Sequence, residues 1–303
     1  MERNITQNMD KSVIAKFIAE LNQHQEHHIG YCGKVALEIE QAMMDAFGDQ
    51  LDLWISTLSE DGQLTGVLGM DTDTDTGTVE LWGPFILCAP EQWQELAIRL
   101  WQQGINKLTE NRIHIRKVYG FYNEHHANAI AFMKDKGAKL GSRQVILHNR
   151  SLNEVSLDQG ENNRIQTITP EQYPSFIQLH DSTFTGTYYD GETLIQRSGK
   201  EHHHLYVLPG SEEEIRGYVY AEADPEFGEG SIEYIAVNPD YSRQGLGSLL
   251  LNKVLYELNQ ESQVSEIRLC VDETNSGALS LYRKAGFETE HVLELYPLEH
   301  IYE

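Results

Sequence analysis

Residues 232–255 read IEYIAVNPDYSRQGLGSLLLNKVL and spell out a strand, a loop and a helix in that order. The run Ile232-Glu233-Tyr234-Ile235-Ala236-Val237 has the length and β-branched content of a strand. Asn238-Pro239-Asp240 breaks it, and Leu246, Leu249, Leu250 and Val254 then recur at helical spacing. Between them stands Arg243-Gln244-Gly245-Leu246-Gly247-Ser248. Its two glycines let the backbone approach a ligand closely, and the first free amides of the helix point outward with the positive end of its dipole. Such a loop suits a phosphate. It is not the loop of a dinucleotide fold, because Leu250 occupies the third glycine position and polar Arg243 and Gln244 precede the first. It is not a P-loop either, since no Gly-Lys-Ser/Thr follows.

A second block lies downstream. Strand-like Ile267-Arg268-Leu269-Cys270-Val271 leads into Asn275, Ala278, Leu281, Tyr282, Gly286 and Phe287. Here the sequence resembles the GNAT family of N-acetyltransferases. That family's acyl-CoA signature, a strand ending in V-x-P followed by Q/R-x-x-G-x-G/A, is matched at Val237, Pro239, Gly245 and Gly247. Its next block, N-x-x-A-x-x-L-Y-x-x-x-G-F, is matched at Asn275, Ala278, Leu281, Tyr282, Gly286 and Phe287. One departure is visible: Ser242 replaces the first Gln/Arg of the loop, with Arg243 beside it.

The resemblance implies an acetyl-CoA-dependent transfer to a primary amine within a ternary complex. The pyrophosphate would lie on the amides of Gln244, Gly245, Leu246, Gly247 and Ser248, flanked by Ser242 and Arg243. The pantetheine would pair like a short strand with the backbone of Ile235, Ala236 and Val237, with Asn275 and Tyr282 also at the coenzyme. An attacking amine must be neutral, so a base is required. Glu233 is the candidate, four residues before Val237 and, by strand alternation, on the face of Ile235 and Val237. An edge position or a salt bridge would also account for a glutamate there. The Val237 amide is a candidate oxyanion donor, and Tyr282 holds the family position that protonates the leaving thiolate. Tyr188 and Tyr189 fall on the connection that helps wall the family's acceptor site, where packing is the alternative role.

Composition narrows the partners. A net charge of −24 argues against nucleic acid, whose binding draws on basic side chains. The acidity is concentrated in residues 151–303, with 27 Asp/Glu against 9 Lys/Arg, compared with 20 against 14 in residues 1–150. That imbalance can attract a cationic amine or simply serve solubility. No stretch approaches the roughly 20 apolar residues of a membrane span, and the first residues lack the apolar core of a secretory signal. A cytoplasmic protein is expected. Cys32, Cys88 and Cys270 are scattered and form no C-x-x-C, so neither disulfide nor zinc is indicated.

The first half repeats the order of elements without the motifs. Aligning Glu80 with Glu233 places Gln92 and Gln94 at the two loop glycines; aligning Gly137 with Gly286 places His126 at Asn275 and Met133 at Tyr282. Residues 1–150 therefore read as a degenerate GNAT-like domain without a coenzyme loop, residues 151–163 as a polar linker, and residues 164–303 as the catalytic domain. The expected fold class is α/β (α+β), two tandem domains each with a mixed, mostly antiparallel central sheet flanked by helices. His24, His27 and His28 read as a solvated linker. Asp71 to Gly77 reads as an acidic hairpin tip, since Trp82 stands where a calcium loop needs glutamate. His202, His203 and His204 alternate across a strand and do not converge on a metal. Two other readings stay open: a non-catalytic acyl-CoA-binding or scaffold protein, and an acetyltransferase like the tandem mycothiol synthase. The acceptor, a small-molecule or peptide amine, and the oligomeric state are not specified.

Overall fold

The computed structural model describes residues 3–4, 9–48, 53–59, 61–151, 160, 164–211, 213–261 and 263–299. Its strands in the first half are β1 (Arg3–Asn4), β2 (Trp54–Leu58), β3 (Leu64–Asp73), β4 (Thr78–Ile86), β5 (Lys117–Asn123) and β6 (Ser142–Asn149). In the second half they are β7 (Gln166–Thr167), β8 (His203–Pro209), β9 (Ile215–Asp224), β10 (Glu229–Val237), β11 (Glu266–Asp272) and β12 (Glu288–Glu299). The helices used below are α1 (Lys11–Asn22), α2 (Ala36–Phe47), α3 (Trp93–Glu110), α4 (Ala127–Asp135), α5 (Tyr173–Thr183), α6 (Gly191–Arg197), α7 (Leu246–Gln260) and α8 (Ser276–Lys284). The chain forms two compact units, residues 1–144 with 291–303, and residues 145–290. The polar linker expected at 151–163 falls mostly on 152–159 and 161–163, outside the described residues.

In the first unit, antiparallel pairing joins β1 to β2, β2 to β3 and β3 to β4. The parallel register of β4 with β5 covers only Thr78–Glu80 against Lys117–Tyr119. On the far side of β5 lies the end of the chain, antiparallel from Leu293↔Asn123 to Glu299↔Lys117. A division at 150 and 164 would give this strand to the second half. Its pairing and its side chains place it with the first, since Tyr296 and Leu298 join the core that Ile18, Ile39, Met43, Leu96 and Leu100 build.

The expected solvated histidine linker is corrected here. Gln25–His27 form a 3₁₀ turn, and His28 is buried, stacked 3.9 Å from His291 with Nδ1 2.8 Å from the Asn22 carbonyl. Burial is tolerated because that polar atom finds a partner. The Asp71 to Gly77 segment does turn a hairpin: the Asp73 carboxylate accepts from the amides of Asp75 and Thr76 and from the Thr76 hydroxyl.

His126, just before α4, is fully buried among Trp93, Tyr122 and His27, whose rings lie edge to face with it at 6.0, 5.6 and 5.9 Å. Neither ring nitrogen has a hydrogen-bond partner among the described residues. Burial, aided by His27 and His28, lowers its pKa from 6.5 to about 3. The unfolded chain therefore takes up a proton below about pH 6.5 that the folded one refuses until about 3. Stability is expected to fall with pH through that window by at most about 1.4 kcal/mol per pH unit for this group. Urea unfolding between pH 7 and 4, followed by tryptophan fluorescence, measures the slope; His126→Phe is expected to flatten it, and an identical slope would place the effect elsewhere.

The second unit orders its strands β6-β11-β10-β9-β8-β7. Strand alternation sends successive side chains to two cores. Val219, Ala221, Ile232 and Leu269 pack with Leu249, Leu250 and Val254 of α7, and Val145 and Leu147 of β6 belong to this core. Tyr218, Tyr220, Tyr234 and Ala236 pack with Phe176, Leu179 and Leu194 of α5 and α6. Ahead of α5, Thr169 and Gln172 form a capping box, in which the Gln172 side chain accepts the Thr169 amide at 3.1 Å. Among the described residues no helix is long and apolar enough to cross a membrane.

Candidate active site

The site is built on a parting of two parallel strands. The register of β10 with β11 covers Glu229–Ser231 against Glu266–Arg268. On its other edge β10 stays paired with β9 as far as Val237↔Gly217. The Asn238 amide donates to the Arg216 carbonyl at 2.8 Å. Because backbone polar groups alternate sides along a strand, Ala236 also faces β9, while Ile235 and Val237 turn their amides and carbonyls toward the opening. Of the three residues expected to pair with pantetheine, Ala236 thus has its backbone on the β9 side.

At the end of β10, Asn238 caps a 3₁₀ turn by accepting the Asp240 amide at 3.0 Å. The chain then reaches α7 through Ser242, Arg243 and Gln244, all exposed. Arg243 and Gly245 have φ of 59° and 76°. Gly245 is the N-cap of α7 in the left-handed region, with no side chain capping the helix and no acidic residue in its first turn. The amides of Leu246, Gly247 and Ser248 are therefore unspent at the positive end of a 15-residue helix. A side chain at Gly245 would meet nothing within 4 Å, so its φ alone demands glycine, whereas one at Gly247 would approach Leu281 at 3.4 Å.

The face expected for Glu233 is corrected. The register shifts between Ile232↔Ala221 and Tyr234↔Tyr220, leaving Glu233 as the extra residue of a β-bulge. Its interacting neighbours are Ser231, Glu222 and Arg197, on the face of Tyr234 and Tyr220 rather than that of Ile235 and Val237. Solvent reaches the side chain, yet protein atoms crowd it where the strands part. That loss of water raises its carboxyl above the usual range; the Ser231 hydrogen bond opposes the rise, the Glu222 carboxylate adds to it and Arg197 opposes it. Cys270 of β11 feels the same carboxylate: solvent reaches the residue, yet crowding by protein atoms first, then Glu233 and Asp272, push its thiol up to about 11.

Tyr282 of α8 is buried in the α7-side core, with its ring 5.9 Å from Phe287. Burial pushes its phenol up to about 12, so it is protonated at neutral pH. Asn275 is the N-cap of α8, its side chain accepting from the Ala278 amide at 3.1 Å. This capping duty is what its position shows.

Loop residues 184–190 lie on the Tyr234 side of β10, where the Phe184 ring stands 5.1 Å from that of Tyr234. Tyr188 is 85% exposed, but Tyr189 is anchored: its carbonyl lies 2.9 Å from His180 Nε2, and the Arg197 guanidinium sits 4.3 Å from its ring. His180 is fully buried, with Nδ1 2.5 Å from the Tyr218 hydroxyl and its ring edge to face with Tyr234 at 4.8 Å. His180, Arg197, Glu222 and Tyr234 were missed from the sequence. Lone polar or aromatic residues on separate elements carry no spacing signal, and only folding brings them together.

His202, His203 and His204 split as alternation requires. His202 and His204 reach Glu261 at 3.0 and 2.9 Å, and His203 Nδ1 lies 2.7 Å from the Tyr220 hydroxyl on the other face. His148, Glu266 and Glu290 bring ligand atoms within 4.8 Å of one another. Arg268 pairs with both carboxylates and Arg150 with Glu266, so cationic side chains already balance that cluster.

Residues 167–287 match the family model of the acetyltransferase (GNAT) family. The chain therefore carries a GNAT-family acetyltransferase domain in its second half. Among curated relatives it is similar to the mycothiol acetyltransferase of Kocuria rhizophila, 32% identical over 98 residues, which is 30% of this chain and 32% of that protein. It is also similar to the [ribosomal protein bS18]-alanine N-acetyltransferase of Escherichia coli, 38% identical over 68 residues, 22% of this chain and 45% of that one. The matches span less than half of either relative's length. A solved tandem GNAT protein from the clavulanic acid biosynthesis pathway superposes with a TM-score of 0.60 at 13% identity, over 99% of this chain and 98% of its own. At that identity the likeness concerns the fold, which is that of tandem GNAT proteins.

Proposed function

We propose that the second unit transfers an acetyl group from acetyl-CoA to a primary amine in a ternary complex, and that the first unit is a degenerate repeat without coenzyme chemistry. One observation carries this reading: the unspent amides behind Gly245 stand next to a strand opening into which Ile235 and Val237 turn their polar groups. The first suits a pyrophosphate and the second an extended amide-bearing arm. By contrast α3 begins after a 3₁₀ turn in which the Gln92 amide is already bonded to Ala89, and no residue of 88–95 has positive φ.

In the transfer, the amine nitrogen attacks the thioester carbonyl while Glu233, directly or through water, takes its proton. The Val237 amide donates to the oxyanion, the carbon–sulfur bond breaks, and Tyr282 protonates the departing thiolate. Ordering both reactants in one cleft supplies much of the acceleration without a covalent acyl-enzyme. The curated relatives' names support a small-molecule or peptide amine as acceptor.

Calorimetric titration of acetyl-CoA into the intact chain tests the reading, with one site per chain expected. Gly245→Val forces a β-branched residue to φ of 76° and is expected to weaken binding by about 10-fold or more, from a backbone cost of roughly 1–3 kcal/mol. Gly245→Asn, which tolerates that conformation, is expected to bind more tightly than the valine variant. Undiminished affinity in Gly245→Val would overturn the placement of the loop, and two sites would restore coenzyme binding to the first unit.

A further inference from the structure

Arg197 ends α6 and makes two distinct connections. Its guanidinium grips Glu222 of β9, with Nη2 2.8 and 3.0 Å from the two carboxylate oxygens and Nε 3.2 Å from the first. It also stacks 4.3 Å from the ring of Tyr189 in the acceptor-side loop. The Tyr220 hydroxyl donates to Glu222 at 2.7 Å, and His203 Nδ1 lies 2.7 Å from that hydroxyl. Glu222 pairs across the strands with Ser231, whose hydroxyl bonds Glu233. The guanidinium thus ties α6 to β9 and to the loop that carries Tyr189.

We propose that Arg197 is a positioning residue for acetyl transfer: by clamping Glu222 and bearing on Tyr189, it holds the acceptor-side loop and neutralises the carboxylate that faces the base. This rests on reading Glu233 as that base. Without Arg197, two carboxylates would face each other across β9 and β10 and Glu233 would hold its proton to higher pH, which is the wrong state for accepting one. The groups acting on Glu233 are Arg197 from α6, Glu222 from β9, Ser231 and Tyr234 from β10 and Cys270 from β11, with His203 of β8 behind Glu222. Arginine suits the place because it stays cationic, binds a carboxylate in two-pronged fashion and stacks on a ring.

The test reads the Glu233 carboxyl directly, by carbon-13 NMR titration of the intact chain, its resonance assigned by loss in Glu233→Gln. Arg197→Gln is expected to raise the midpoint by about one pH unit, a roughly tenfold rise in proton affinity. Glu222→Gln is expected to lower it, the double variant to lie between, and Arg197→Lys to keep most of the original value. Hydrogen exchange across 184–190 is expected to accelerate by about tenfold in Arg197→Gln, as Tyr189 loses the anchor on its ring and keeps only that of His180 on its carbonyl. Should Arg197→Gln fail to fold, Glu222→Gln removes the other charge and reads the same coupling. An unmoved midpoint in both, with turnover lost in Glu233→Gln, overturns the role of Arg197 and leaves the base in place. Full turnover in Glu233→Gln overturns the base and this role with it, whatever the midpoint does.

Discussion

Tyr282→Phe is expected to lower acetyl-transfer turnover by about 10²-fold or more while acetyl-CoA affinity and thermal stability stay close to those of the original chain. The tyrosine ring is buried beside Phe287, and phenylalanine keeps that packing. The hydroxyl has no partner among the described residues, so its removal strands no donor or acceptor. Only a chemical role would be lost. A phenol held protonated by burial, with a pKa near 12, stays in the form a proton donor needs across the neutral range. Steady-state turnover beside calorimetric affinity separates the possibilities. Unchanged turnover would remove Tyr282 from the chemistry, and a parallel loss of affinity would make it a packing residue of the coenzyme site.

Ending the chain at Glu290 is expected to unfold the first unit and spare the second. Residues 291–299 supply seven cross-strand pairs to β5 and bury Leu293, Tyr296 and Leu298 to 1%, 1% and 7% exposure. Losing a large buried side chain costs about 2–5 kcal/mol, and three of them approach the whole stability of a domain, about 5–15 kcal/mol. The stack of His28 on His291 and the bond from Asn123 to His291 would go as well. The core of residues 145–290 loses none of these contacts. Hydrogen exchange on the shortened chain is expected to show β4 and β5 unprotected and α7 protected, with acetyl-CoA still bound. Full protection of β5 would show that the first unit stands without its last strand.

How far the site could be read in advance depended on how its parts are encoded. The strand, loop and helix around Gly245 and the block from Asn275 to Phe287 are contiguous, and each residue's duty there is local: a left-handed backbone at Gly245, a cap at Asn275, an amide turned outward. Short-range spacing was enough to find them, and it also foretold the split of the three histidines and the hairpin after Asp73. Alternation failed at Glu233 because one inserted residue reverses every face beyond it, and that insertion exists only relative to a partner strand. The burial of His28 rests on a ring more than 250 residues away, at His291. What the sequence determined by itself was the pair of GNAT-like halves, their element order and the glycine loop that opens α7, since all follow from neighbours along the chain. Tertiary structure alone decided which unit owns the last strand, which face Glu233 looks toward and what Arg197 holds, because each is settled by a pairing between segments that only the folded chain brings together.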